Sequence, residues 1–172
     1  MTSSPVLKPA LALVLLLCVA CGAPEQIGSG VSDTSAVTTT APLVVQPPPA
    51  TARSVAESIR GTIPEAVELI QVTEDNDPNN LIGRPNGYVA ASVLVDSRLP
   101  RCETPGADCG AMIEQWPDQA AAQRRADYIQ AMLREMPMLG QEWNTVKGAL
   151  LLRVAGELKP SEAKAYESAF AG

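Results

Sequence analysis

An apolar run near the start of the chain does most to limit which residues can join a folded domain. Residues 10–21 read ALALVLLLCVAC, and a single cation, Lys8, precedes them. The run is shorter than the about 20 apolar residues that a membrane-spanning helix needs. A cation, a short apolar core and small residues at its end are typical of an export signal that is later removed. We therefore predict that residues 1–20 are a signal peptide and take no part in the fold.

The end of this segment, LCVACG, resembles the lipobox of bacterial lipoproteins, in which the cysteine receives a diacylglyceryl group and becomes the new N-terminus. The resemblance assigns lipidation to Cys21 and implies a palmitate-type anchor that holds the chain on the extracytoplasmic face of the cell membrane. The usual pattern has leucine three residues before that cysteine, whereas this chain has Cys18 there and Leu17 one residue earlier. The alternative is ordinary cleavage after Ala20, which would release a secreted product.

Residues 22–52 have a composition of their own, rich in Thr, Ser, Ala and Pro and without a cation. The segment shows no sustained helical or strand periodicity, and its QPPPA stretch favours an extended backbone with few hydrogen-bond donors. We predict that residues 21–52 are a lipidated N-terminus followed by a disordered tether. Residues 53–172 contain every Trp, Tyr and Phe of the chain and are long enough for a single α+β domain.

The charge of the exported chain argues against nucleic acid and anionic membrane surfaces as partners. Loss of Lys8 leaves 12 cations against 19 acids, so the net charge changes from −6 to −7. Binding to nucleic acid or to anionic headgroups requires concentrated Lys and Arg, which this composition does not provide. We expect the lipid on Cys21 to attach the chain to the membrane instead.

The domain is predicted to contain one helical region followed by two strand–strand–helix units. Ser54 is predicted to cap a first helix that runs to Arg60, and PEAVELIQV, which begins at Pro64, is predicted as a second helical segment. YVAASVLVD and GAMIEQW are predicted as paired strands, because apolar residues alternate along the first of them.

The first unit ends with a helix after Asp118, where apolar residues recur at helical spacing, and the second unit follows it. EWNTV and ALLLRVAG then form a hairpin that turns at Lys147 and Gly148, and Ser161 caps the last helix. Together these elements predict an α+β fold, with a four-stranded, mostly antiparallel sheet and helices packed on one face.

The residue types available for chemistry argue against an enzyme. The chain has no histidine, which removes the commonest general base, the usual Ser–His and Cys–His pairs and the commonest zinc ligand. It has no G-x-S-x-G elbow and no glycine-rich loop for phosphates or dinucleotides. We therefore predict a protein without catalytic residues and without a cofactor.

Three further features have a structural and a functional interpretation. Cys102 and Cys109, in CETPGADC of an exported chain, are predicted to form a disulfide; a metal site would need more soft ligands nearby. Trp116 and Trp143 are expected to pack in the core, with an exposed binding platform as the alternative. The arginines of the long helix are expected to form a solvated face rather than an anion site: Arg124, Arg125 and Arg134.

The stretch TEDNDPNNLIGRPNGY, residues 73–88, is the strongest candidate for a functional loop. Asp75, Asp77 and Asn79 have the spacing of oxygen ligands at the start of a calcium loop, but the required glycine and glutamate are absent at the sixth and twelfth positions. A structural interpretation explains the same residues. Asp77 starts a turn by accepting backbone N–H bonds, and Arg84 pairs with Asp75 or Asp77.

NDPNNLIGRPNGY, followed by a strand that ends in aspartate, resembles a motif of small exported or lipid-anchored actinobacterial proteins. WPDQAAAQRRADYIQAM and VKGALLLRVAGELKPSEAKAYESAF are similar to the rest of that group, so the resemblance covers residues 72–170. The group has no assigned activity, and the resemblance implies a cell-envelope lipoprotein without transferring any catalytic residue. We expect the domain to bind another envelope component, such as a protein, through Asp75, Asp77, Asn79 and Arg84. The alternative is a small-ligand or calcium-binding module that uses the same loop.

Overall fold

The computed structural model describes residues 49–172, so the predicted signal peptide, Cys21 and most of the predicted tether lie outside the described residues. The elements are α1 (Ala52–Thr62), β1 (Ala66–Gln71), β2 (Ala90–Asp96), β3 (Gly110–Gln115), α2 (Gln119–Glu135), β4 (Glu142–Lys147), β5 (Leu150–Ala155) and α3 (Pro160–Ala171). Within this range, no helix has the length and apolar character that crossing a bilayer requires.

The strands form one antiparallel sheet in the order β1-β2-β3-β5-β4. β1, β2 and β3 follow one another as a meander. The chain then passes through α2 to the far edge of the sheet, forms β4, and returns as β5 between β3 and β4. The predicted α+β class and antiparallel sheet are confirmed, with five strands in place of the predicted four.

The additional strand is β1, which was predicted as a helical segment. Its backbone pairs with β2 from Ala66 opposite Asp96 to Gln71 opposite Ser92, with one irregularity near Ala66. Pro64 and the acid that follows it are typical of a helix start, but the segment also carries β-branched Val67 and Ile70, which favour extended backbone. β1 provides hydrogen-bond partners for the backbone of β2 along its outer edge. This long-range pairing decides that residues 66–71 form a strand.

The helices cover both faces of the sheet, whereas the sequence predicted one face. Alternate residues along each central strand enter different core clusters. One cluster packs against α1 and α3 and includes Leu94, Ile113 and Leu152. The other packs against α2 and includes Val93, Met112 and Leu151. Both faces of β2, β3 and β5 are therefore buried, and any charged side chain on these strands must find a partner inside the domain.

The ends of the helices differ in detail from the prediction. Thr51 caps α1, and Ser54 is its capping-box partner rather than the cap. Asp118 caps α2 as predicted, since its Oδ1 accepts the Ala121 N–H at 2.7 Å. α3 begins with Pro160 at its first position and Lys159 as its N-cap, so Ser161 lies inside the helix.

A disulfide and a hairpin turn that the sequence predicted are both present in the structure. Cys102 and Cys109 form a disulfide, with Cα atoms 5.2 Å apart, beside the start of β3. Gly148 turns the β4–β5 hairpin with a φ of 56°, a value that glycine adopts without steric cost.

Candidate functional site

The loop from 75 to 84 is organised around the carboxylate of Asp77. Asp77 Oδ2 accepts the N–H groups of Leu81 and Ile82 at 2.6 and 2.8 Å, and Oδ1 accepts that of Asn79 at 2.9 Å. The Tyr88 hydroxyl also donates to Oδ1. Four donors converge on one carboxylate, as the turn interpretation predicted, and they leave little of it available for a metal ion.

These hydrogen bonds control the acidity of the two side chains. Burial alone would raise the pKa of Asp77, but the hydrogen bonds from Tyr88 and from three backbone N–H groups outweigh it and hold the pKa below its usual range. Burial and the hydrogen bond to Asp77 raise the pKa of Tyr88 well above its usual value. Tyr88 therefore remains a neutral donor and Asp77 a charged acceptor over the physiological pH range.

The second half of the loop is fixed by contact with the core and by two left-handed residues. Leu81 and Ile82 pack against the cluster on the α2 side, as predicted. Asn80 and Asn86 have φ angles of 52° and 63°. A Cβ atom on Gly87 would lie 1.8 Å from the Leu81 carbonyl oxygen, so only glycine allows the loop to close there.

The structure divides the four predicted binding residues into an inner and an outer pair. Asp77 is bonded within the loop and to Tyr88, and Asn79 accepts from Arg125 of α2. Asp75 and Arg84 line an outer hollow of about 410 Å³. Arg84 was predicted to pair with Asp75 or Asp77, and this prediction is wrong. Its Nε and Nη2 donate to Asn80 Oδ1 instead, at 3.0 and 2.7 Å.

The four residues do not converge as a calcium site would require. In the part of the chain from 49 to 172, no group of three or more His, Cys, Asp or Glu side chains lies close enough to hold a metal ion. Asp75 makes none of the hydrogen bonds found in that part, while Asp77 Oδ1 and Oδ2 are occupied by the loop itself.

A buried cluster of charged side chains lies behind the loop, on the α2 side of the sheet. Arg153 on β5 donates to Glu114 Oε1 on β3 at 2.8 Å. It also forms a two-bond pair with Glu142 on β4, at 2.6 and 2.9 Å. Trp116 Nε1 donates to Glu114 Oε2 at 3.0 Å, so Glu114, although fully buried, has both oxygens paired.

Electrostatics explains why these charges persist inside the domain. Burial alone would lower the pKa of Arg153, but its pairs with Glu142 and Glu114 raise the pKa above its usual value. Arg153 thus keeps its charge inside the domain because two carboxylates lie beside it.

Arg125 of α2 connects this cluster to the loop. Its Nη2 donates to Asn79 Oδ1 at 2.9 Å, and its Nε lies 3.6 Å from Glu114 Oε2. Its side chain is only 12% exposed, so the predicted solvated helix face is wrong for this residue. Arg124 and Arg134 are exposed, as predicted. Loop, helix and sheet therefore share one polar network.

A groove of about 540 Å³ opens between the loop and the first half of α2. Its walls combine apolar and polar side chains and are formed by Leu81, Asn86, Gly87, Trp116, Pro117, Asp118, Ala121, Arg124, Arg125 and Tyr128. Trp116 is 6% exposed and meets the Tyr88 ring edge-on, with centroids 5.8 Å apart, which makes this wall rigid. Tyr128 is 57% exposed at the rim.

The two tryptophans have different roles. Trp116 packs in the core with its indole N–H paired to Glu114, as expected, and also lines the groove. Trp143 packs against the cluster on the opposite, α1–α3 face of the sheet, away from the groove.

The sequence contains one signal for the charged cluster, which local patterns alone do not resolve. Glu114 is the one charged residue in GAMIEQW, and Arg153 is the one charged residue in ALLLRVAG. A single charge inside each of two apolar strands indicates a buried pair if those strands are neighbours. Their pairing depends on the crossing of α2, which the sequence pattern does not reveal.

The chain matches no protein-family model, no curated protein and no solved structure. Its function must therefore be inferred from the geometry of the loop, the charged cluster and the groove.

Proposed function

We propose that this chain is a lipid-anchored, non-enzymatic protein of the bacterial cell envelope, and that its domain binds another envelope component. We assign binding to the loop–helix face, defined as residues 75–87 together with residues 116–128. The groove in this face is the observation that carries the proposal.

Three properties of the loop–helix face support binding there. Its groove has a volume of about 540 Å³, within the range of roughly 300–1,000 Å³ that is usual for ligand sites. The walls are held in place from below, because Asp77 fixes the loop and Arg125 ties the loop to α2. The rim carries the exposed ring of Tyr128, a residue type that is enriched at contact surfaces.

The proposed attachment has a direct chemical test. When the full-length chain is produced in a bacterial host fed with an alkyne analogue of palmitate, we expect the chain to take up the label and remain with the membranes. Cys21→Ser should abolish both the label and the membrane fraction, because it removes the thiol that carries the lipid. Cys18→Ser is the matched control and should keep both. Labelling that persists in Cys21→Ser would contradict the lipid assignment.

The proposed binding face can be tested in the intact envelope by placing a photo-crosslinking amino acid at single positions of the full-length chain. We expect irradiation to yield an adduct of discrete mass from position 128 or 84, because both lie on the loop–helix face. Position 164 on α3 is the control, since the Lys164 side chain is 74% exposed but lies on the opposite side of the sheet. Equal adducts from position 164, or none from 128 and 84, would refute the proposed face.

A further inference from the structure

We propose that the groove of the loop–helix face binds an amphiphilic anion, a molecule with a short apolar body that ends in a carboxylate or phosphate group. This inference rests on the proposed binding function and specifies its ligand class. It follows from a difference within the groove, whose inner wall is largely apolar and whose rim carries an exposed arginine.

The inner wall of the groove is largely apolar. Trp116 forms its centre, and Leu81, Pro117 and Ala121 extend it towards the loop and the helix. The indole N–H of Trp116 is already paired with Glu114, so Trp116 presents no unused donor. An apolar ligand body would release water from this wall and gain the usual hydrophobic stabilisation.

The rim of the groove carries one exposed cation, Arg124, next to the largely buried Arg125. Arg124 is exposed and forms no ion pair with any residue in the range 49–172. Arg125 uses Nη2 for Asn79, and its guanidinium lies 6.0 Å from the centroid of the Tyr128 ring. An anionic head placed beside Arg124 would form a charge-assisted pair without breaking an existing one.

The acidic residue at the groove is engaged by the helix. Among residues 49–172, Asp118 is the only carboxylate that lines the groove, and its Oδ1 accepts the Ala121 N–H as the cap of α2. The chain as a whole carries a net charge of −6, whereas the exposed cation at this groove, Arg124, has no ion-pair partner among residues 49–172. Charge complementarity thus favours a ligand with a negative head and disfavours a cationic amphiphile of the same length.

The test is calorimetric titration of residues 21–172, with Cys21→Ser to omit the lipid, using decanoate and decyl phosphate below their micelle concentrations. We expect both anions to bind at one site. Decyltrimethylammonium and inorganic phosphate should bind at least tenfold more weakly, because each lacks one of the two features. Arg124→Gln should weaken decanoate binding at least tenfold, and higher salt should weaken it in the parent chain.

Arg134→Gln is the matched control, since Arg134 is an exposed arginine of the same helix that does not line the groove. It should leave decanoate affinity unchanged, and the Arg124→Gln variant should unfold at the same denaturant concentration as the parent. Equal affinity for decyltrimethylammonium, an equal loss in Arg134→Gln, or no binding of either anion would overturn the ligand class. A crosslink at position 128 without anion binding would retain the proposed function and refute only this inference.

Discussion

Replacing Arg153 with methionine should lower the free energy of unfolding by about 3–5 kcal/mol, because the substitution leaves Glu114 and Glu142 without their principal cation. Glu114 is fully buried on β3, so its charge cannot be solvated in place. Urea denaturation of the chain from residue 21 measures the change. Arg153→Met combined with Glu114→Gln should recover part of the loss, since the double variant also removes one of the unpaired charges.

An exposed ion pair provides the comparison. Lys164 and Glu167 on α3 are 3.0 Å apart, and the Lys164 side chain is 74% exposed. Lys164→Met should change the free energy of unfolding by less than about 1 kcal/mol. If Arg153→Met costs no more than Lys164→Met, the buried cluster does not stabilise the fold as argued.

Replacing Asp77 with asparagine should lower the free energy of unfolding by about 2–3 kcal/mol, because hydrogen bonds to a charged acceptor are stronger than those to a neutral one. An asparagine side chain also has only one acceptor oxygen, whereas the donors of the parent chain divide between the two carboxylate oxygens of Asp77. Asp75→Asn is the matched control, and it should change stability little because Asp75 is exposed and accepts none of these bonds.

The effect of Asp77 depends on pH in a defined direction. Its pKa is depressed in the folded state, so its stabilisation is fully present above the unfolded pKa of about 3.9. The stabilisation is lost as the pH falls through the lower, folded pKa. The difference in stability between the parent chain and Asp77→Asn should therefore shrink as the pH falls below about 4. A difference that stays constant down to pH 2 would contradict this account of the loop.

Thermal unfolding with and without calcium distinguishes a loop held by its own hydrogen bonds from a calcium-binding loop. We expect the thermal midpoint of the parent chain to be the same with calcium and with excess chelator, because the Asp77 oxygens are already occupied. A ligand that binds only the folded state would raise the midpoint, by about 2.7 kcal/mol of stability at a hundredfold excess over its dissociation constant. A rise that Asp77→Asn abolishes would show that the loop is a metal site.

Local patterns predicted the elements whose residues contact their own neighbours in sequence. The helix after Asp118 followed from its cap and apolar stripe, and the hairpin at Gly148 followed from one glycine. β1 was predicted wrongly because its helix-start residues are local, whereas the strand that decides its conformation lies 20 or more residues away.

In the candidate site, too, contacts between residues near in sequence were predictable and contacts between distant residues were not. The role of Asp77 as a turn-forming acceptor was predictable, because its donors lie within 11 residues along the chain. The pairing of Arg125 with Asn79 and of Arg153 with Glu114 spans 46 and 39 residues, and no periodicity within one segment reports such contacts. The groove is a product of these distant contacts, and so it appears only in the folded domain.

The strand order also fixes when the sheet can be completed as the chain is synthesised. β1, β2 and β3 emerge together and can form a meander, but the partner of β3 is β5, which emerges only after α2 and β4. Until then β3 presents an open backbone edge next to apolar side chains, the arrangement that invites pairing with another chain. Glu114 lies near the end of that strand, and its charge opposes burial against a foreign strand that brings no cation. β5 supplies Arg153 as the cation that pairs with Glu114. The ion pair that stabilises the finished domain therefore also favours β5 over a foreign strand as the partner of β3.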